Sequence, residues 1–173
     1  MSATRRWLEI SVIGLNLCPF AEQPYRGNRV RFCVCERRSA SGLLEDLHSE
    51  LQWLARAEQR RWETTLLIHP WVLNDFVEFN DFLAVCDGAV AELGLEGCLQ
   101  VASFHPYYRF AGSRPDDIEN YTNRSPFPML HLLREASVER AVEACGDTAQ
   151  IYQRNVRTLR ALGHAGWQRL WRD

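Results

Sequence analysis

Three histidines sit where their neighbours could give them chemistry. The segments LLIHP and ASFHP each close an apolar run with a histidine and a proline, at His69 and His105. The third, His131, lies in MLHLLRE, three residues before Arg134 and four before Glu135. On a helix these three positions share a face, so an imidazole, a guanidinium and a carboxylate would be presented together. Joined by His105, the pair His131 and Glu135 could hold a divalent transition metal and leave a coordination position open. Alternatively, Arg124 and Arg134 could clamp a carboxylate or phosphate, with His105 or His131 as general acid or base. The bland alternative makes Arg134 and Glu135 partners in surface or interdomain ion pairs and His131 a satisfied core residue.

The two His-Pro endings bear on where such a site would lie. If their strands are parallel, His69 and His105 emerge at one edge, the C-terminal edge where open α/β sheets place ligands. The following proline removes a backbone donor and ends the ladder there. A strand-ending His-Pro can also be a turn device, its imidazole bonded to a backbone carbonyl. After His105 come about twenty loop residues rich in proline, asparagine, arginine and aromatic rings. Within them, NRSPFP reads as a rigid start to a helix, with Asn123 or Ser125 as cap and Pro126 or Pro128 in the first turn. Such a start exposes amides that can bind an anion, with Arg124 beside them. Tyr108 and Phe110 would wall the pocket. Cys18, in LCPF at the end of the first helix, is a candidate soft ligand or nucleophile if that helix packs against the loop. A helix C-terminus does not itself activate a thiol, and core filling is the competing use.

The elements that must position these residues follow from periodicity. Thr4 to about Leu15 reads as a helix ended by Pro19, with Trp7, Ile10 and Ile13 on one face. Val30–Glu36 reads as a strand. Ser41 then caps a helix to about Arg60, with Leu44, Leu47, Leu51 and Leu54 as its stripe. Thr64–Pro70 is a second strand. Asp75 and Glu78 have capping-box spacing and open a helix to about Leu93. Cys98–Phe104 is a third strand. Three helical segments are expected after the loop: about Pro128–Ala136, Ser137–Cys145, and a third to about Leu162, opened by a capping box of Asp147 and Gln150. Gly163 and Gly166 break the pattern before a WQRLW tail. The order α-β-α-β-α-β-α-α-α, with long helices between strands, favours parallel crossovers. The expected fold is α/β: a small three- or four-stranded, mainly parallel sheet with flanking helices and a C-terminal helical segment. A short fourth strand would fall near Tyr107–Phe110.

Composition bounds the function classes. At 173 residues the chain fits a single domain, residues 1–173, and 46% hydrophobic residues with six tryptophans allow a real core. Twenty basic against 22 acidic residues give a formal charge of −2, which removes the general electrostatic case for nucleic acid. Every basic residue other than histidine is arginine. A Schiff-base lysine and a lysine-bearing phosphate loop are therefore excluded. The six cysteines, Cys18, Cys33, Cys35, Cys86, Cys98 and Cys145, form no CxxC pair. The first residues are too polar for a signal peptide, and no segment has the length of a membrane span. A cytoplasmic protein with reduced thiols is the expectation.

The segments LNLCPFA, TTLLIHP, DFVEFNDFL, QVASFHPYYRFAG and NYTNRSPFPMLHLLRE, with QRN in the late helix, are similar to a bacterial family of uncharacterised proteins, the domain of unknown function 1415. The resemblance covers nearly the whole chain, and its FHPYYRF and TNRSPFPMLHLLRE blocks are highly specific. It implies that Cys18 to Phe20, His105, Pro106, Tyr108, Phe110, Asn123 to Pro126, His131, Arg134 and Glu135 are signature positions, and it carries no chemistry.

The combined expectation is a small enzyme with a His/Arg pocket at the C-terminal sheet edge. Its catalytic candidates are His105, His131 and Cys18. Tyr108, Phe110, Asn123, Arg124, Ser125 and Arg134 would bind a small anionic substrate, and His105, His131 and Glu135 a metal. On this reading His105→Ala and His131→Ala abolish ligand or metal binding and leave melting largely intact. The alternative is a non-catalytic binding or partner protein using the same pocket. A third reading makes the loop a structural staple, with Asn123, Arg124 and Arg134 buried, satisfied and beside no cavity. Trp167 and Trp171 suggest an apolar surface that docks the tail internally or serves a homodimer contact.

Overall fold

Five consecutive buried residues, Thr64–Ile68, form the centre of the molecule. A strand buried on both faces must have a layer on each side. The computed structural model describes residues 1–145 and 148–172. It shows β1 (Val30–Val34), β2 (Thr64–Ile68), β3 (Leu99–Phe104) and β4 (Met129–Arg134) in one sheet, in the order β1-β2-β4-β3. β1 and β2 pair in parallel, while β4 is antiparallel to both β2 and β3. The sheet is therefore mixed, not mainly parallel. The first three strands still run the same way, because β4 fills the gap that the β2–β3 crossover leaves.

The fourth strand is the segment that the sequence assigns to a helix, and it lies well beyond Tyr107–Phe110. MLHLLR holds four apolar residues in six, and so short a segment fits either period. Met129, His131 and Leu133 face one layer; Leu130, Leu132 and Arg134 face the other.

On one face pack α3 (Ala40–Arg56) and α4 (Phe76–Glu92). Leu43, Leu47, Leu51 and Leu54 meet Leu67, Leu130, Leu132, Phe79 and Phe82 there. Ser39, not Ser41, caps α3 by accepting the Gly42 N–H, which moves the stripe from Leu44 to Leu43. Asp75 caps α4 as its spacing suggests, accepting from the amides of Val77 and Glu78.

The other face is covered by α1 (Ser2–Trp7), which continues into a π-helical stretch, Leu8–Ile13. Trp7, Leu8 and Val12 meet Leu66, Ile68 and Met129. Thr4 and Ser11 are fully buried in this layer, and neither hydroxyl has a hydrogen-bond partner. A short helix, α2 (Glu22–Arg26), lies between this layer and β1 in the chain. α5 (Glu135–Cys145) and α6 (Thr148–Arg169) complete the chain. Gly163 interrupts α6 with φ 62° and ψ 173°, so the tail turns there. Asp147, expected in a capping box, lies outside the described residues. Cys18, Cys33, Cys35, Cys86 and Cys98 are free thiols. Among the described residues no helix is long and apolar enough to cross a membrane.

Candidate functional site

Because β1, β2 and β3 run the same way, His69 and His105 leave the sheet at one edge. Both are fully buried. His69 Nδ1 lies 3.0 Å from the Val72 carbonyl. His105 Nε2 lies 3.2 Å from the Leu73 carbonyl, and its Nδ1 accepts the Tyr107 N–H at 3.0 Å. That fixes His105 as the Nε2–H tautomer, with both nitrogens engaged. The two rings lie 5.6 and 5.0 Å from the Phe79 ring. Together they pin the turn between β2 and α4, where Leu73 takes φ 56°. Burial lowers the pKa of both imidazoles, that of His69 to about 4. The turn-device alternative describes these bonds, and His105 offers a ligand neither a proton nor a lone pair.

His131 is elsewhere. It sits mid-strand on β4, opposite Leu66 and Ala102, and its ring lies 5.9 Å from Phe104. Phe104 and His105 are adjacent in an extended chain and point to opposite faces. His131 thus faces the N-terminal helix while His105 faces α4. His131 is half-buried, and burial pushes its pKa down to about 4. Glu135 is four residues along the strand direction, about 13 Å away at strand rise. The proposed metal set of His105, His131 and Glu135 therefore does not assemble. Among the described residues no three His, Cys, Asp or Glu side chains converge to hold a metal.

Arg134 is also displaced from the expected site. It donates to the carbonyls of Leu54 (2.7 Å), Ala57 (2.8 Å) and Trp62 (3.4 Å). It caps the C-terminus of α3, where a cation also complements the helix dipole. The expected clamp of Arg124 with Arg134 is not formed.

The loop is built largely by asparagine and arginine. Asn120, which the sequence reading passed over, is fully buried. Its Oδ1 accepts from the Phe110 N–H and the Ser113 hydroxyl, and its Nδ2 donates to Arg114 O. Asn123 donates to Ser103 O, and its own carbonyl accepts the His105 N–H. Ser125 caps no helix; its hydroxyl donates to Phe127 O. Tyr108 stacks edgewise between Phe76 and Phe110, and Phe110 reaches Tyr152 of α6, so these rings tie the loop to two helices. Cys18 packs partly buried against the Trp7–Met129 layer.

Arg124 behaves differently. Its Nε and one terminal nitrogen donate to Tyr108 O and Pro115 O, and its guanidinium lies 4.4 Å over the Tyr121 ring. Its carbonyl accepts the Trp7 indole N–H at 2.8 Å, which fastens the first helix to the loop. Among the described residues no carboxylate pairs with it. Arg124 lines a hollow of about 490 Å³ between α1, the loop and the tail of α6. Trp7, Tyr107, Tyr121, Trp167 and Trp171 form its walls, and Arg6 adds a second guanidinium. Among the described residues no aspartate or glutamate lines it. The tail tryptophans dock here, Trp167 4.8 Å from Tyr121 and 5.9 Å from Trp171.

A family model described as protein of unknown function (DUF1415) matches residues 1–169. The chain belongs to that family. No curated protein and no solved structure matches it. The DUF1415 blocks recognised in the sequence contribute Pro106, Tyr107, Tyr121, Arg124, Ser125 and Pro126 to the hollow. Trp7, Trp167 and Trp171 come from outside those blocks; in the sequence Trp7 reads as part of a helical face, and Trp167 and Trp171 as an apolar surface that docks the tail.

Proposed function

We propose that this DUF1415 protein binds a small organic anion in the hollow around Arg124. The observation that carries the reading is the Arg124 guanidinium, which has no carboxylate partner among the described residues, on the wall of an aromatic hollow. A hollow of 490 Å³ lies within the roughly 300–1,000 Å³ of small-molecule sites. Two of its lining residues, Pro106 and Tyr107, follow closely on the C-terminal end of β3, and the C-terminal ends of strands are where open α/β sheets place ligands. Two guanidiniums supply positive charge, and the aromatic walls add apolar surface beside them. Binding is favoured over catalysis because both nitrogens of His105 are engaged and, among the described residues, neither His105 nor His131 lines the hollow. Three roles change in this reading. Arg6 replaces Arg134 beside Arg124, Tyr107 and Tyr121 replace Tyr108 and Phe110 as walls, and no metal is invoked.

A thermal melt of the full chain with and without benzoate tests it. A ligand present at 100 times its Kd stabilises the folded state by about 2.7 kcal/mol, so the melting temperature should rise with benzoate concentration. Arg6→Gln should blunt that rise. An unchanged melting temperature at every benzoate concentration, confirmed by calorimetric titration, would contradict anion binding.

A further inference from the structure

The walls of the hollow also constrain the body of the ligand. Five aromatic side chains surround it, three of them tryptophan. Aromatic walls favour a flat ligand, through offset-stacked or edge-to-face contacts worth about 0.5–1.5 kcal/mol each beyond burial. Groups that recognise a sugar or polyol are scarce. Among the described residues Ser125 is the only serine, threonine, asparagine or glutamine in the lining, and its hydroxyl is committed to Phe127 O.

The anionic group can be narrowed as well. Phosphate is commonly cradled by backbone amides at a helix start. The helix expected to begin at Pro126 or Pro128 is instead β4, which begins at Met129. Side-chain guanidiniums remain, and their planar fork matches a carboxylate with two parallel N–H···O bonds. Two of the Arg124 nitrogens are held by carbonyls, which fixes the plane of the group. Its face lies on Tyr121. A ring that continues the Tyr121–Trp167 cluster would bring a coplanar carboxylate against the edge of that guanidinium.

Resting on the anion-binding reading above, we propose that the natural ligand is a planar aromatic carboxylate of one or two rings. Its ring system packs against the tryptophans and Tyr107, and its carboxylate pairs with Arg124 and Arg6. Tyr107 is 69% exposed on the rim of the hollow, so its side chain contributes to the site and little to the core.

Calorimetric titration of the full chain with four probes tests the class: 2-naphthoate, its neutral amide, cyclohexanecarboxylate and inorganic phosphate. The expected result is one-to-one binding of 2-naphthoate, with the other three weaker by roughly tenfold or more, the factor set by one lost charged bond or stacked ring. Tyr107→Ala should weaken 2-naphthoate several-fold with an unchanged melting temperature. Cyclohexanecarboxylate or phosphate binding as tightly as 2-naphthoate would overturn the aromatic class and leave the anion site standing. The neutral amide binding equally well would overturn both, because the charge would then contribute nothing. Absence of binding by all four would also overturn both. Tight 2-naphthoate binding unaffected in Tyr107→Ala and in Arg6→Gln would place the ligand elsewhere and overturn the assignment.

Discussion

At the residue scale, the same imidazole can be a catalyst or a fastener, and its hydrogen bonds decide which. The His-Pro endings were legible from sequence, and so was their shared sheet edge. The direction of each ring was not, because it depends on carbonyls of the 70–75 turn that only the folded chain brings near. His105 holds Leu73 O and the Tyr107 N–H while packing against Phe79. Removing it leaves a cavity and unpaired groups. His105→Ala is therefore expected to lower stability by roughly 3 kcal/mol in urea denaturation, the scale of a damaged buried site. This reverses the expectation drawn from sequence alone. An unchanged denaturation midpoint would mean that the turn holds without the imidazole.

At the scale of elements, one misread segment moved half of the expected site. MLHLLRE on a helix gathers His131, Arg134 and Glu135 on one side. On a strand it sends His131 to the N-terminal layer and Arg134 to the end of α3. Four apolar residues in a stretch of six cannot distinguish the two periods; pairing with β2 and β3 makes the choice. The long periodic helices α3 and α4 were legible for the opposite reason, since an apolar stripe sustained over about three turns fits only one period. Arg134 closes α3 by donating to Leu54 and Ala57 carbonyls. Arg134→Met keeps the apolar stem and loses these bonds. It should cost about 2 kcal/mol, in line with charged hydrogen bonds to backbone. Hydrogen exchange should show faster exchange confined to the last turn of α3. Uniform acceleration across the sheet would contradict a local capping role.

At the scale of the whole molecule, two buried layers hold imidazoles that the fold keeps neutral. The His69 pKa falls from 6.5 to about 4 on folding, through burial, and that of His131 moves the same way. Between those values the unfolded chain binds a proton that the folded chain excludes, so stability rises with pH across that window. It is fully present above pH 6.5 and is lost as pH falls towards 4, by about 3 kcal/mol from His69 alone. Urea midpoints at pH 7.5 and pH 5 should differ, with the lower midpoint at pH 5. Equal midpoints would place the imidazoles in contact with water.

The tail's docking is likewise a property of the whole chain. Gly163 turns α6 so that Trp167 meets Tyr121 from the loop, an encounter between residues 46 positions apart that no local pattern encodes. The hollow beside Arg124 exists only because α1, the loop and the tail converge there. The tryptophans make that convergence directly measurable. Three of the six, Trp7, Trp167 and Trp171, line the hollow; Trp53, Trp62 and Trp71 do not. The decisive measurement is a titration of the uniformly ¹⁵N-labelled full chain with benzoate, followed through its indole N–H resonances. Anion binding at Arg124 predicts saturable shifts for Trp7, Trp167 and Trp171, with Trp53, Trp62 and Trp71 unmoved. Shifts confined to Trp53, Trp62 or Trp71, or no saturable shift at any indole, would contradict the account.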